Sequence, residues 1–390
     1  MDNPIDVTYL HTLWPDFLAS AYAVYTDNTV WLFNHPLNEA SSTEPLEINR
    51  TDDFSADTLI LYKDTPTAIV SLERYPTEAD YIPVLIHELF HGYQYAQNEQ
   101  RFPDELAAIS YPLTPWHVGM RKKERQQLLA AWNASTEEDV RQALTLFFSC
   151  RSERQQVYPE AVDFEQRIET IEGPALYVEQ LVVQRVKNED EQTAVNRFSS
   201  DFLDPVSFST SIRKSCYAQG MLLCLLFDRI DPNWKSTFLE SDVLLSTLLS
   251  NQLSFKSTPI VLDSLVAAEE AIKVVLAEKE KRISEFREQD EYLIKLCGSF
   301  SYDSFDPMNV CSLNNKWLHP HHVQVRTEGK SYTFKQSVLA EHDNFNKPKT
   351  LYLFSTKQPS LTKNQLTVPE IGEFYGSGTY EGSVYTFYVI

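Results

Sequence analysis

The residues of this chain whose types and spacing point most directly to chemistry are two histidines with a carboxylate between them, His87-Glu88-Leu89-Phe90-His91. On an α-helix, at about 100° per residue, the two imidazoles lie about 40° apart and can reach one tetrahedral zinc ion. Glu88 lies about 100° from His87, too far round to be a natural ligand but placed to touch a water beside the ion as a general base. Ile86, Leu89, Phe90 and Tyr93 fall on the opposite side of the wheel and give the helix an apolar back. The pattern predicts a helix that packs by one face and holds one zinc per chain by the other.

Such a centre needs a third protein ligand. Residues 172–179 read EGPALYVE. They resemble the E-G-x-A-x-Y-x-E helix of the gluzincin metallopeptidases, the broad group that includes thermolysin and the aminopeptidase-N type enzymes, in which the first Glu is the third zinc ligand. The resemblance implies Glu172 as that ligand. It leaves Glu179, two turns along the same face, to orient a ligand or the substrate. Residues 217–220, YAQG, open an apolar run and resemble the Y-x-x-G helix of the aminopeptidase-like members, whose Tyr hydrogen-bonds the developing oxyanion. Tyr217 is the corresponding candidate. The three segments follow the family's order, with two departures. Some 80 residues separate His91 from Glu172 where the family has about two dozen, so the intervening helices would be an insertion. No G-x-M-E-N segment precedes His87, so aminopeptidase activity is not expected.

The elements that must position these residues can be read along the chain. Residues 19–34 have hairpin composition around Thr26 to Thr29, and extended runs at 57–62 and 67–75 flank a turn at Lys63 to Pro66. A small sheet therefore precedes the first helix, which is expected to begin after Pro83. Helical character runs from 122 to 151, with Ser135 and Glu138 as a capping box, then over 159–187 and 209–230, where Asp231-Pro232 stops it. Residues 262–296 contain no Pro or Gly and read as one helix with a charged, solvated second half. Beyond Gly298 short strands are expected at 321–328, 331–340, 350–355 and 383–390. The predicted class is α+β: a gluzincin-like catalytic domain over 1–296, with a small N-terminal sheet before a mostly helical part, and an all-β domain over 297–390.

Composition narrows the partners. The chain has 390 residues, with 34 Lys and Arg against 55 Asp and Glu, a formal net charge of −21; such a field repels nucleic acid and anionic membrane surfaces. No apolar stretch is long enough to span a bilayer, the start MDNPIDVTYLHTLW lacks a signal-peptide pattern, and five cysteines without a CxxC pair suit a reducing cytoplasm. Ten glycines offer no glycine-rich phosphate loop. His319, His321 and His322 read as a polar loop, and nothing places Cys216 beside His117. The expected function is hydrolysis of a peptide or protein substrate by zinc-activated water with Glu88 as base. The alternatives are a zinc hydrolase for another bond, or a non-catalytic zinc-stabilised binding protein of similar fold.

Overall fold

The computed structural model describes residues 5–38, 44–253, 255–288, 291–344 and 347–389. It is mixed α and β, with a helical part and a β-rich C-terminal region, and separates into two compact units. One comprises Met1–Asp104 with Thr114–Ala268; the other comprises Glu105–Leu113 with Glu269–Ile390.

The first unit opens with a short helix, α1 (Val7–Leu13), that local sequence pattern does not reveal; Asp6 caps it by accepting from the Thr8 amide. Strands β1 (Ala21–Tyr25), β2 (Thr29–Phe33), β3 (Leu46–Asn49), β4 (Thr58–Tyr62) and β5 (Thr65–Ser71) form a sheet in the order β3-β2-β1-β5-β4. The predicted hairpin is β1–β2. The second turn is tighter than predicted: Lys63 and Asp64 both take positive φ (47° and 62°) and Tyr62 pairs with Thr65, the two-residue geometry that matches strand twist. Helix α2 (Glu78–Ala96) starts five residues before Pro83 rather than after it. Thr77 precedes Glu78 and Asp80 in the first turn, where carboxylates suit the helix dipole. The buried Tyr81, Leu85, Ile86, Leu89 and Phe90 offset the hydrogen bond that proline cannot make.

The helices α3 (Pro115–Asn133), α4 (Glu137–Val157), α5 (Pro159–Lys187), α6 (Glu191–Leu203), α7 (Pro205–Thr210), α8 (Ile212–Ile230), α9 (Lys235–Phe238) and α10 (Leu245–Leu253) follow. The helical run expected at 122–151 is thus two helices. The cap of the second is Thr136, which accepts from the Asp139 amide, one residue on from the Ser135–Glu138 box. Helix α5 covers the predicted 159–187, and α8 the later part of 209–230, after the separate α7. One hydrophobic core joins Tyr22, Val24 and Val70 of the sheet to Leu89 and Phe90 of α2, Ala175 and Val178 of α5, and Leu222 and Leu226 of α8. A smaller cluster of Ala23, Tyr25, Leu32, Phe54 and Ile69 covers the sheet's other face.

Helix α11 (Val266–Arg287) ends well short of 296, and Tyr292–Cys297 is a strand; residues 289 and 290 lie outside those described. This corrects the expectation of a single helix. YLIKLC pairs antiparallel with a strand at 347–355 and parallel with one at 384–389, and its alternating buried Ile294 and Leu296 satisfy a two-residue period that helix propensity overlooks. The strands are β6 (Tyr292–Cys297), β7 (Ser301–Phe305), β8 (Cys311–Leu313), β9 (Lys316–His319), β10 (Val323–Thr327), β11 (Lys330–Phe334), β12 (Val338–Asn344), β13 (Lys347–Ser355), β14 (Ser360–Leu361), β15 (Gln365–Val368), β16 (Gly372–Glu381) and β17 (Val384–Val389). They form a nine-stranded sheet, β14-β15-β16-β17-β6-β13-β12-β9-β8, and a three-stranded one, β11-β10-β7. The run expected at 331–340 is split between β11 and β12, and Ile390 lies outside the described residues. The second unit as the structure draws it takes in most of α11 and the 105–113 segment as well as the strands expected beyond 297: Ile283 and Phe286 of α11 pack on Leu318, Leu339 and Phe354, and the Ile109 carbonyl accepts from Ser312 Oγ.

Candidate metal centre

Helix α2 carries His87, Glu88 and His91, and its apolar back is the buried face of Ile86, Leu89, Phe90 and Tyr93. Gly92 lets it press on the segment leading into β1: a Cβ there would lie 2.4 Å from Ser20 Oγ. Helix α5 crosses so that Glu172 Oε2 stands 3.3 Å from His91 Nε2 and 3.5 Å from His87 Nε2. Ligand bonds of about 2.0–2.1 Å on a tetrahedral zinc put neighbouring donor atoms about 3.3 Å apart, so these spacings fit the edges of that polyhedron. His87, His91 and Glu172 form one of the two groups of metal-capable side chains among the described residues.

The outer nitrogens are held as well. His87 Nδ1 donates to Glu179 Oε2 at 2.9 Å; a carboxylate only accepts, so the proton is on Nδ1 and Nε2 faces Glu172. His91 Nδ1 lies 2.8 Å from Gln94 Oε1, while Gln94 Nε2 donates to the Ile171 carbonyl at 2.8 Å. The Ile171 carbonyl can only accept, which fixes the amide's orientation and, through it, the His91 tautomer. Gln94 is not singled out by the sequence. Its only signal there is its place three residues after His91, on the same helix face.

Charge in the metal-free cluster is shared. Burial works against a charged His87, but hydrogen bonds to Glu172 and Glu179 outweigh it and hold its pKa well above the usual imidazole value. His91 is raised too, the pull of Glu172 overcoming burial. Burial opposes ionisation of Glu172, yet His91 and His87 hold its pKa well below the usual carboxylate range. The raised imidazole values and the lowered carboxylate value have the same origin, the close approach of Glu172 to His87 and His91. Glu88 is half-buried, and burial raises its pKa against the partial opposition of both imidazoles.

Helix α8 supplies Tyr217 and Arg213. Glycines set its distance from α5: a Cβ on Gly173 would lie 2.6 Å from Gly220 Cα, and one on Gly220 would lie 2.5 Å from the Glu169 carbonyl oxygen. The two backbones therefore touch, which brings the Tyr217 ring to 6.4 Å from that of His87 in a stacked arrangement. Burial, reinforced by the Glu172 charge, raises the Tyr217 pKa and keeps its hydroxyl protonated. Arg213 Nη2 donates to Glu172 Oε1 at 2.7 Å, a contact that sequence pattern does not disclose. The Tyr of the 172–179 motif, Tyr177, has a different role. It donates to Asp228 Oδ2 at 2.5 Å and accepts from Lys235 Nζ at 2.5 Å, tying α5 to α8 and α9.

The second group of metal-capable residues, Glu124, Glu165 and Glu169, is an ion-pair core. Arg151 bridges Glu124 and Glu169, Arg154 bridges Glu124 and Glu165, and Gln219 Nε2 donates to both Glu124 and Glu169 at 2.9 Å. A cation would have to displace guanidinium groups to enter. His319 and His342 of the second unit are also engaged: Tyr302 Oη lies 3.1 Å from His319 Nε2 and 2.8 Å from His342 Nε2. His319 ends strand β9 and is buried, so the expectation of a polar loop fails for it; Trp317 and Leu318 beside it carry the chain into the sheet.

All six residues singled out from the sequence, His87, Glu88, His91, Glu172, Glu179 and Tyr217, thus converge on one place. Among the described residues no helix is long and apolar enough to cross a membrane. Compared with family models, with curated proteins and with solved structures, the chain matches none.

Proposed function

We propose that this chain is a zinc-dependent hydrolase of the gluzincin type that cleaves peptide bonds. The observation that carries the reading is the convergence of His87 Nε2, His91 Nε2 and Glu172 Oε2 from two helices at the spacing of zinc ligands, beside a half-buried carboxyl, Glu88, that the metal does not need. Two imidazoles and one carboxylate are a donor set suited to catalytic zinc, which keeps a position for water or substrate. When bound, the ion would polarise the scissile carbonyl and acidify a water.

The chain's own residues do the rest. Glu88 accepts the attacking water's proton and returns it to the leaving amine, and the burial that raises its pKa suits a group that both takes and gives a proton. The Tyr217 hydroxyl donates to the oxyanion that develops on the former carbonyl, a contact worth about 3 kcal/mol in comparable sites. Glu179 and Gln94 fix the imidazole tautomers. The products are a carboxylate and an amine, and the water supplies both the hydroxyl and the proton. The peptide would lie along β4, which among the described residues is an edge strand of the sheet whose neighbour β5 packs on α2, since an unpaired strand edge pairs with extended backbone.

The test is metal analysis of the purified chain followed by digestion of a peptide library with and without chelator. One zinc per chain and chelator-sensitive cleavage are expected. Protein that holds no metal would end the proposal, while stoichiometric zinc with no cleavage of any bond would point to a binding protein.

A further inference from the structure

Resting on that reading, we propose that Arg213 is a positioning residue that keeps Glu172 a one-oxygen ligand and so preserves the open position at the metal. Glu172 presents its two oxygens in different directions. Oε2 faces both histidines, whereas Oε1 accepts from Arg213 Nη2 at 2.7 Å. A carboxylate with both oxygens unrestrained can close on a metal through both and occupy the place water needs. One whose outer oxygen is held in a charge-assisted hydrogen bond offers only the inner one.

Two further observations separate this from an incidental surface ion pair. Arg213 stands in the first turn of α8, a turn without an acidic residue; a cation there is opposed by the helix dipole, so the local helix gains nothing from it. The pair is also shielded, with Glu172 almost fully buried and the Arg213 side chain only 25 % exposed, which removes it from the class of screened surface bridges. The guanidinium lies 5.9 Å from the Tyr217 ring centroid, one turn along the helix, so the residue that orients the ligand also borders the oxyanion donor.

The expected signature is unusual for a residue so near a metal. A guanidinium competes with a divalent ion for the same carboxylate, so its removal should leave metal affinity unchanged or higher while turnover falls. The experiment loads the full-length wild type, Arg213→Met and Arg213→Lys with one equivalent of Co2+, records the visible absorption, and measures zinc affinity by competition with a chromophoric chelator. Circular dichroism checks folding, and Arg213→Gln replaces the Met variant if that one does not fold. Wild type should give the intense bands of four-coordinate cobalt. The Met variant should lose that intensity as its coordination number rises, retain zinc, and show kcat lower by about 10- to 100-fold, the usual range for residues that orient a ligand, with KM nearly constant. Lys, a single charged donor, should restore much of the spectrum. An unchanged cobalt spectrum in the Met or Gln variant overturns the proposal, as does a parallel loss of zinc affinity and turnover that Lys does not rescue. Failure of the wild type to take up one Co2+ would instead overturn the metal centre itself, and is seen before any variant is compared.

Discussion

At the scale of single residues, the proposed ligands and the proposed base are separable because only the ligands should affect metal content. His87→Ala or His91→Ala leaves two donors, too few for a tight tetrahedral site, and should abolish stoichiometric zinc as measured by elemental analysis. Glu172→Ala should weaken zinc far more than Glu179→Ala, since Glu179 accepts from the outer nitrogen of His87, Nδ1, and not from the side that faces Glu172; a reversed order would shift the ligand assignment along α5. Glu88→Gln should keep zinc and melting temperature while kcat falls by about 10² to 10⁴. Equal turnover in both proteins would remove Glu88 from the role of base. Metal uptake should also be linked to protons. His87 and His91 have raised pKa values in the metal-free cluster, and a ligand must be neutral to bind. Zinc affinity should therefore fall as pH drops below those raised values. Titrations at neutral pH in buffers of different ionisation enthalpy should show protons released on binding.

At the scale of elements, the site depends on two helix crossings. The first brings α2 against α5 and is pinned by Gln94, which reaches from one helix to the Ile171 carbonyl of the other. The second brings α8 against α5 at Gly173 and Gly220, where backbone meets backbone. Gly220→Ala places a methyl 2.5 Å from the Glu169 carbonyl oxygen, a contact that only movement of the helices can relieve. We expect it to destabilise the protein by about 1–3 kcal/mol and to lower kcat more than KM, because Tyr217 and Arg213 shift with α8. A thermal melt and steady-state kinetics on the same preparation test both, and a variant with wild-type stability would show that the crossing is not tight.

At the scale of the molecule, the two units carry different buried titratable chemistry. In the second, burial and the neighbouring His342 and His322 lower the His319 pKa to about 3. Its folded value thus lies below the unfolded value of 6.5, so the unfolded chain takes up the proton first as pH falls. The stability His319 contributes is whole above about 6.5 and is lost progressively toward 3. Segment-resolved hydrogen exchange over the β-rich unit, corrected for intrinsic rates, should show protection falling across that window. The dependence should flatten in His319→Phe, and an equally steep profile in that variant would assign the effect elsewhere. In the first unit the junction of α3, α4 and α5 holds Glu124, Glu165 and Glu169 against Arg151 and Arg154. Removing one partner of such buried pairs typically costs about 3–5 kcal/mol.

Local periodicity by itself determined the α2 face: His87, Glu88 and His91 lie on one side and the apolar residues on the other because the 3.6-residue repeat alone decides which side chains share a surface. The long helix α5 was legible along the chain as well, and composition on either side of a turn determined the hairpin at β1–β2. The resemblance, rather than periodicity, picked out Glu172, Glu179 and Tyr217. Helix α1, the start of α2 ahead of Pro83 and the strand at Tyr292–Cys297 were not legible, since packing and strand partners far along the chain overrode what the local residues prefer. Arg213 and Gln94 were hidden for a related reason. Each reads as a polar residue on a helix, and its meaning comes from an atom 41 or 77 positions away. Nothing in the local pattern of α3, α4 and α5 marks Glu124, Arg151, Arg154, Glu165 and Glu169 as buried together, as they are. The tertiary structure decided these because ion pairing and tautomers depend on distances of a few ångströms between helices. Those distances are set where helices cross, as α8 meets α5 at Gly173 and Gly220 and α2 meets α5 at Gln94 and Ile171, and not by any repeat along the chain.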